Sequence, residues 1–305
     1  MAIINIGSGS VKLYLQKTGQ TRTAVTLLAL DNNEKATSET FGAVAAFCLK
    51  AVNAGEKVTI FGTEAMRRDN TLADLILDKL GLAADIIDGK TEALCGFLGC
   101  GGEEFKTVID VGGASSEISS GSITHDLADN QKAKGEFSSE KFILDFSVSL
   151  KIGSVALYNI FGKDEKNLDL SHIFDYIDAV LDFSSPQCKG KVYAIGGTAL
   201  YLAGIVNTMK NDVKADNEKT AKFVPKTLSG TKISADEILT ALKTLFAMDV
   251  KQRVAAYPFI EEKRALVLPY GISALYRILN KLSFSNQVHI STAGLIEGYI
   301  KLRNL

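Results

Sequence analysis

The chain has 305 residues, 46% of them hydrophobic and 23% charged, the profile of an ordinary globular protein of roughly two domains. A formal net charge of -1 argues against a nucleic-acid coat or a polybasic membrane arm, although the 34 Lys and Arg can still line a local groove. No uncharged apolar run approaches the ~20 residues that a membrane span needs, and no leader pattern opens the chain, so a soluble cytoplasmic protein is expected. Cys48, Cys95, Cys100 and Cys188 show no CxxC spacing and predict neither a zinc site nor a disulfide framework.

In chain order, Ala2–Ile6 reads as a buried strand, Gly7-Ser8-Gly9-Ser10 as a turn, and Val11–Gln16 as a returning strand. Residues 21–30 predict a third strand. Apolar residues at Phe41, Val44, Ala45, Cys48, Leu49 and Val52 have helical spacing over 38–54. Residues 58–61 form a short strand, and Leu72, Leu75, Ile76 and Leu80 mark a helix stopped by Gly81. A strand at Ile86-Ile87, a helix over 90–98 and a strand over 107–110 follow. The order is a meander followed by alternating helices and strands, which predicts a mixed sheet with helices on its faces.

Residues 119–141 are polar and predict a projecting hairpin or mobile loop; 142–150 alternate like a strand. Helices are expected over 152–161 and 172–183, the second capped by Ser171. Residues 192–195 form a buried strand that runs into Gly196-Gly197-Thr198, with a helix over 199–206. Residues 207–231 predict a surface loop. Ser234 and Glu237 form a capping-box pattern before Ile238, Leu239, Leu242, Leu245 and Phe246. Last come a helix over 270–282, a strand over 288–290 and a helix over 295–302.

Three glycine turns each follow a strand: Gly7–Ser10, Gly112–Ser115 and Gly196–Thr198. Glycine lets main-chain N–H groups converge on an anion without a Cβ in the way. Three such turns over both halves of the chain point to one shared anionic ligand. In the central stretch, Asp110 and Glu117 flank the turn Gly112-Gly113-Ala114-Ser115 and can hold a hydrated Mg²⁺ against a bound phosphate. Arg67 has the planar fork that grips a phosphate in bidentate fashion. His125, His172 and His289 are scattered and carry no assigned chemistry.

At these residues the sequence resembles the exopolyphosphatase / guanosine pentaphosphate phosphohydrolase family of the actin-like sugar kinase superfamily, in its short two-domain form. The matching blocks are Asn5 to Ser10; Thr63, Ala65 and Arg67 with Asp69-Asn70; Gly89, Glu92 and Ala93 with Leu98-Gly99; Asp110 to Glu117; Ser149 to Leu157; Gly196-Gly197-Thr198; Arg264-Ala265; and Gly294-Leu295 with Glu297-Gly298. They fall in family order over nearly the whole chain. The resemblance implies an α/β protein of two actin-like (ribonuclease H-like) domains, each a mixed five-stranded-type sheet flanked by helices, with an interdomain cleft. Residues 1–118 would form the first domain, completed by the C-terminal helix 295–305, and 119–294 the second.

The resemblance also places Glu92 as the catalytic glutamate that orients and deprotonates the attacking water, and counts Arg67 as a second catalytic residue. It implies the three glycine turns as phosphate loops and Mg²⁺ (or Mn²⁺) as cofactor, held by Asp110, Glu117 and, weakly, Asn5. The implied substrate is inorganic polyphosphate, cleaved at its terminal phosphoanhydride, with pppGpp as the alternative. A homodimer is left open; no nucleic acid or membrane partner is implied. Asn5 stands where the family has Asp, Gly9 where it has Asn, Ala114 where it has a third Gly, Leu266 where it has Asp, and Thr91 where it has an acid. These departures support a second reading, a non-catalytic binder of polyphosphate or (p)ppGpp. A third, a small-molecule kinase, would need an aspartate base and an adenosine pocket with no clear signal here.

Overall fold

The computed structural model describes residues 1–30, 34–125, 140–163, 169–184, 190–210, 225–284 and 287–305. In the first sheet, β1 (Ala2–Ile6), β2 (Ser10–Leu15) and β3 (Gln20–Val25) form an antiparallel meander. β4 (Val58–Gly62) and β5 (Ala84–Ile86) extend it in parallel, in the order β3-β2-β1-β4-β5. β1 is buried at every position, as a central strand covered on both faces must be, whereas β2 alternates and Val11, Leu13 and Leu15 face the core. The helices are α1 (Glu34–Asn53), α2 (Glu64–Arg68), α3 (Thr71–Leu80) and α4 (Gly89–Gly99). The third strand ends at Val25, short of the expected residue 30. The reason lies in the first glycine turn: Thr26 and Leu27 donate N–H to Gly9 O, and Ala29 donates to Ser8 O.

The second sheet has six strands in the order β10-β11-β9-β6-β7-β8. Its members are β6 (Phe105–Val111), β7 (Ser116–His125), β8 (Glu140–Leu150), β9 (Lys191–Ile195), β10 (Lys232–Ile233) and β11 (Val288–Ile290). β6, β7 and β8 repeat the antiparallel meander, and β9 joins β6 in parallel. Strand pairing therefore changes sheet between Ile86 and Phe105. A division at residue 118 would cut through β7, because the central stretch belongs to the second sheet and not to the end of the first. The hairpin expected over 119–141 has β7 and β8 as its arms; residues 126–139 lie outside the described residues.

The helices of this half are α5 (Ser154–Phe161), α6 (Leu170–Val180), α7 (Gly196–Lys210), α8 (Ala235–Phe246), α9 (Val250–Ala256) and α10 (Glu262–Lys281). α6 is capped by Asp169, whose side chain accepts from the Ser171 N–H, so Ser171 is the capped residue and not the cap. The α8 capping box of Ser234 and Glu237 is present. α7 starts at Gly196 and runs to Lys210, which takes residues 207–210 out of the expected loop; 211–224 lie outside the described residues.

α10 runs straight through Pro269, where the sequence pattern had begun a helix only at Tyr270. Proline has no N–H for the carbonyl four residues back. That carbonyl, Ala265 O, accepts from Arg253 Nη1 at 3.1 Å, and Arg253 Nε donates to Leu245 O at 2.8 Å. α9 and the fully buried Arg253 thus supply the bond that the proline removes. The last helix, α11 (Leu295–Arg303), returns to the first half and packs on α4. Tyr299 stacks on Phe61 of β4 at 4.1 Å, among buried Ile3, Ile87, Cys95 and Ile296. Among the described residues, no helix is long and apolar enough to cross a membrane.

Candidate active site

The loops after β1 and β6 have one construction. Gly7 N–H donates to Ser10 O at 2.9 Å, and Gly112 N–H donates to Ser115 O at 2.9 Å. In the first loop the carbonyls of Ser8 and Gly9 are taken by residues 26–29. In the second, the carbonyls of Gly112 and Gly113 are taken by Ser154, Val155 and Ala156, the first N–H groups of α5. Two inner carbonyls of each loop are therefore occupied within the protein, which removes them as acceptors facing a ligand.

The two loops touch backbone to backbone. A Cβ at Gly113 would lie 2.7 Å from Gly9 N and 2.9 Å from the Ser8 carbonyl carbon. Ala114, the departure from the triple-glycine pattern, is buried and does not line the cleft, so its methyl costs the loop nothing there.

The third glycine turn is the first turn of α7. Gly196 has φ +80°, and a Cβ on it would run into Asp110 Oδ1. Glycine here lets the carboxylate sit against the helix start. Thr198 Oγ1 donates to Val111 O at 2.9 Å and ties this turn to β6. All three turns thus line one cleft, together with Asn5, Lys12, Glu92, Asp110 and Arg264.

Glu92 stands in the first turn of α4, behind the cap Asp88, and is 8% exposed. Burial pushes its carboxyl up to about 7, against the pull of Arg67, with Asp110 and Glu64 adding to the rise. Burial likewise raises Asp110, opposed by the Lys12 ammonium. Glu117 is raised well above the usual range by burial and by its neighbours Glu92 and Asp110. Its Oε1 accepts from Ser149 Oγ at 2.7 Å. Three acids whose charges oppose one another in a buried space mark a place where cationic or protonic charge is wanted.

Arg67 does not offer its fork to the cleft. Its Nε and Nη2 are bound to Glu64 Oε2 at 2.9 and 2.7 Å, and Nη1 is shared between Ile87 O at 2.6 Å and Glu92 Oε2 at 3.0 Å. The expected bidentate phosphate grip is thus already filled by a protein carboxylate, and Arg67 instead orients Glu92. Ser8 lines the cleft, but its hydroxyl accepts the Ala65 N–H at 3.2 Å and fixes the start of α2.

Two cations were passed over in the sequence. Arg264 of α10 is 6% exposed, has no partner for Nε, and lies 5.3 Å over the Tyr201 ring. Lys12 faces Asn5 across the β1–β2 register. The signal for Arg264 was its place in a family-like block; that for Lys12 was a lone Lys in an otherwise apolar alternation.

For a divalent ion the residues fit in part. Among the described residues no three His, Cys, Asp or Glu are arranged to hold a metal. Glu117 does not line the cleft, and Asn5 has an unpartnered Nδ2 rather than an acid. Asp110, largely buried but reaching the cleft wall, fits a Mg²⁺ that keeps most of its waters and is otherwise held by substrate phosphate.

The Ppx/GppA phosphatase family model matches residues 4–303. The chain belongs to this family. Over 261 residues it is 26% identical to the guanosine-5'-triphosphate,3'-diphosphate pyrophosphatase of Photobacterium profundum, covering 80% of this chain and 44% of that protein. It therefore spans less than half the length of that curated relative. The fold matches an exopolyphosphatase from Cytophaga hutchinsonii with a TM-score of 0.75 at 19% identity, over 100% of this chain and 98% of that one. It also matches the Ppx/GppA family member of Aquifex aeolicus with a TM-score of 0.69 at 20% identity, over 99% and 96%. The two mixed sheets flanked by helices are thus the Ppx/GppA architecture.

Proposed function

We propose that the protein is a phosphohydrolase that cleaves the terminal phosphoanhydride of inorganic polyphosphate. The observation that carries this reading is the meeting of three glycine turns with Glu92 and Asp110 on one cleft. Loop N–H groups, the start of α7, Lys12 and Arg264 bind the terminal phosphoryl oxygens, where charge must be neutralised. Glu92, held by Arg67, orients a water in line with the anhydride and takes its proton. A carboxyl raised to about 7 by burial is well matched to that task near neutral pH. Asp110 would hold Mg²⁺ or Mn²⁺ through water, and the ion would neutralise charge on the phosphate. The buried thiols of Cys48, Cys95 and Cys100 fit a reducing cytoplasm.

The test is phosphate release from polyphosphate with Mg²⁺ or Mn²⁺. Wild type should turn over and Glu92→Gln should not; equal release by both would remove Glu92 from its role. A second reading, pppGpp as substrate, is favoured by the Photobacterium relative's name. Parallel assays on pppGpp rank the two substrates by kcat/KM. Binding of either without turnover would identify the binder.

A further inference from the structure

Asn5 is 4% exposed, lines the cleft, and its Nδ2 has no partner. A buried donor without an acceptor is costly, and native structures keep such groups where a ligand completes them. The surroundings say which ligand. Opposite Asn5 in the strand register stands Lys12, which also lines the cleft. The adjoining loop has its Ser8 and Gly9 carbonyls already occupied, which removes two acceptors that could otherwise have satisfied the amide. Across the cleft a second buried donor, Arg264 Nε, is equally unpartnered. Amide, ammonium and guanidinium all ask for an anion.

We propose that Asn5 is an anion-binding residue: its Nδ2–H donates to a non-bridging oxygen of the bound phosphate, with Lys12 as its cationic partner. The first hairpin is then the anion side of the cleft, and any metal is confined to the Asp110 side. The inference rests on the reading of this cleft as a phosphate site, and it replaces the metal-ligand role that the family pattern suggests for position 5. It also gives the departure from Asp a function. An acid here would compete with the phosphate for Lys12 and repel it.

The experiment is calorimetric titration of sodium tripolyphosphate and of inorganic phosphate into the full chain in EDTA, so that no divalent ion contributes. Asn5→Ala should weaken tripolyphosphate binding about 10- to 100-fold, the loss of one hydrogen bond to a charged group. Asn5→Asp, nearly isosteric but an acceptor, should weaken it at least as much, and Lys12→Gln should act in the same direction. Thermal unfolding checks that each variant is folded; Asn5→Ala and Lys12→Gln still decide the matter if Asn5→Asp does not fold. Affinity unchanged within about twofold in folded Asn5 variants overturns the inference, as does a wild type that binds no phosphate without metal. Wild type that binds tripolyphosphate with the expected losses but never hydrolyses it defeats the hydrolase reading and leaves this one standing. Turnover with unchanged Asn5 variants does the reverse.

Discussion

The two glycine hairpins share a backbone and oppose each other in charge. In each, the first glycine donates to the fourth residue of the turn at 2.9 Å, and the loop carbonyls are tied to a neighbouring segment. In each, the strand residue two before the turn faces a partner across the register. That pair is Asn5 with Lys12 in the first hairpin and Asp110 with Glu117 in the second. One pair carries a formal single positive charge and the other a formal double negative. The lesson is that a repeated fold need not repeat its chemistry: one copy pairs an amide with an ammonium, the other pairs two carboxyls.

The largest effect should come from removing the acid aimed at the cleft beside the second hairpin. Glu92→Gln should lower kcat by about 10²–10⁴ while tripolyphosphate affinity in EDTA holds. A loss confined to affinity would show that Glu92 belongs to binding.

The next break is mechanical. Gly113→Ala would push a Cβ into Gly9 N and the Ser8 carbonyl carbon, so the hairpins must part. We expect a loss of about 1–3 kcal/mol in denaturant unfolding, with weakened phosphate binding. Wild-type stability would mean that the two turns do not need their contact.

The charge contrast also has a pH signature. A free glutamate titrates near about 4.3, while Glu92 in the fold is pushed up to about 7. Between those values the folded state holds a proton that the unfolded chain has lost, so stability falls as pH rises through this window. In divalent-free buffer the melting temperature should drop from pH ~4.3 to ~7, and Glu92→Gln should flatten that drop. A slope equal in both proteins would place the proton elsewhere. Asp110→Asn should move the Glu92 midpoint down, because it removes a neighbouring negative charge.

The smallest effect is a control away from both hairpins. Ser234→Ala breaks the capping box of α8 and should cost about 0.5–2 kcal/mol with kcat/KM unchanged. A change in turnover would mean that the cleft senses that helix.

Much of the fold was legible because it depends on local rules. The alternation of Val11, Leu13 and Leu15, the Ser234–Glu237 box and the strand–glycine punctuation each act over a few residues. What escaped was short or non-local. α2 and α9 are too brief to show a helical period. Pro269 looked like a helix boundary because the bond that rescues it comes from Arg253, on another helix and twelve residues before the Ala265 carbonyl it serves. Residues 26–29 read as strand because nothing local announces that they clasp the first glycine turn.

By itself the sequence determined the glycine turns, the acids at 92, 110 and 117, and the absent acid at 5, since residue type and backbone freedom are local properties. Which of these share a space was a tertiary matter. Only folding put Arg67 onto Glu64 and Glu92, paired Glu117 with Asp110 across the register yet left it off the cleft wall, and brought Lys12 and Arg264 to the cleft. The physical reason is that an ion's role depends on its nearest counter-charge and on its burial, and both are fixed by residues distant in sequence.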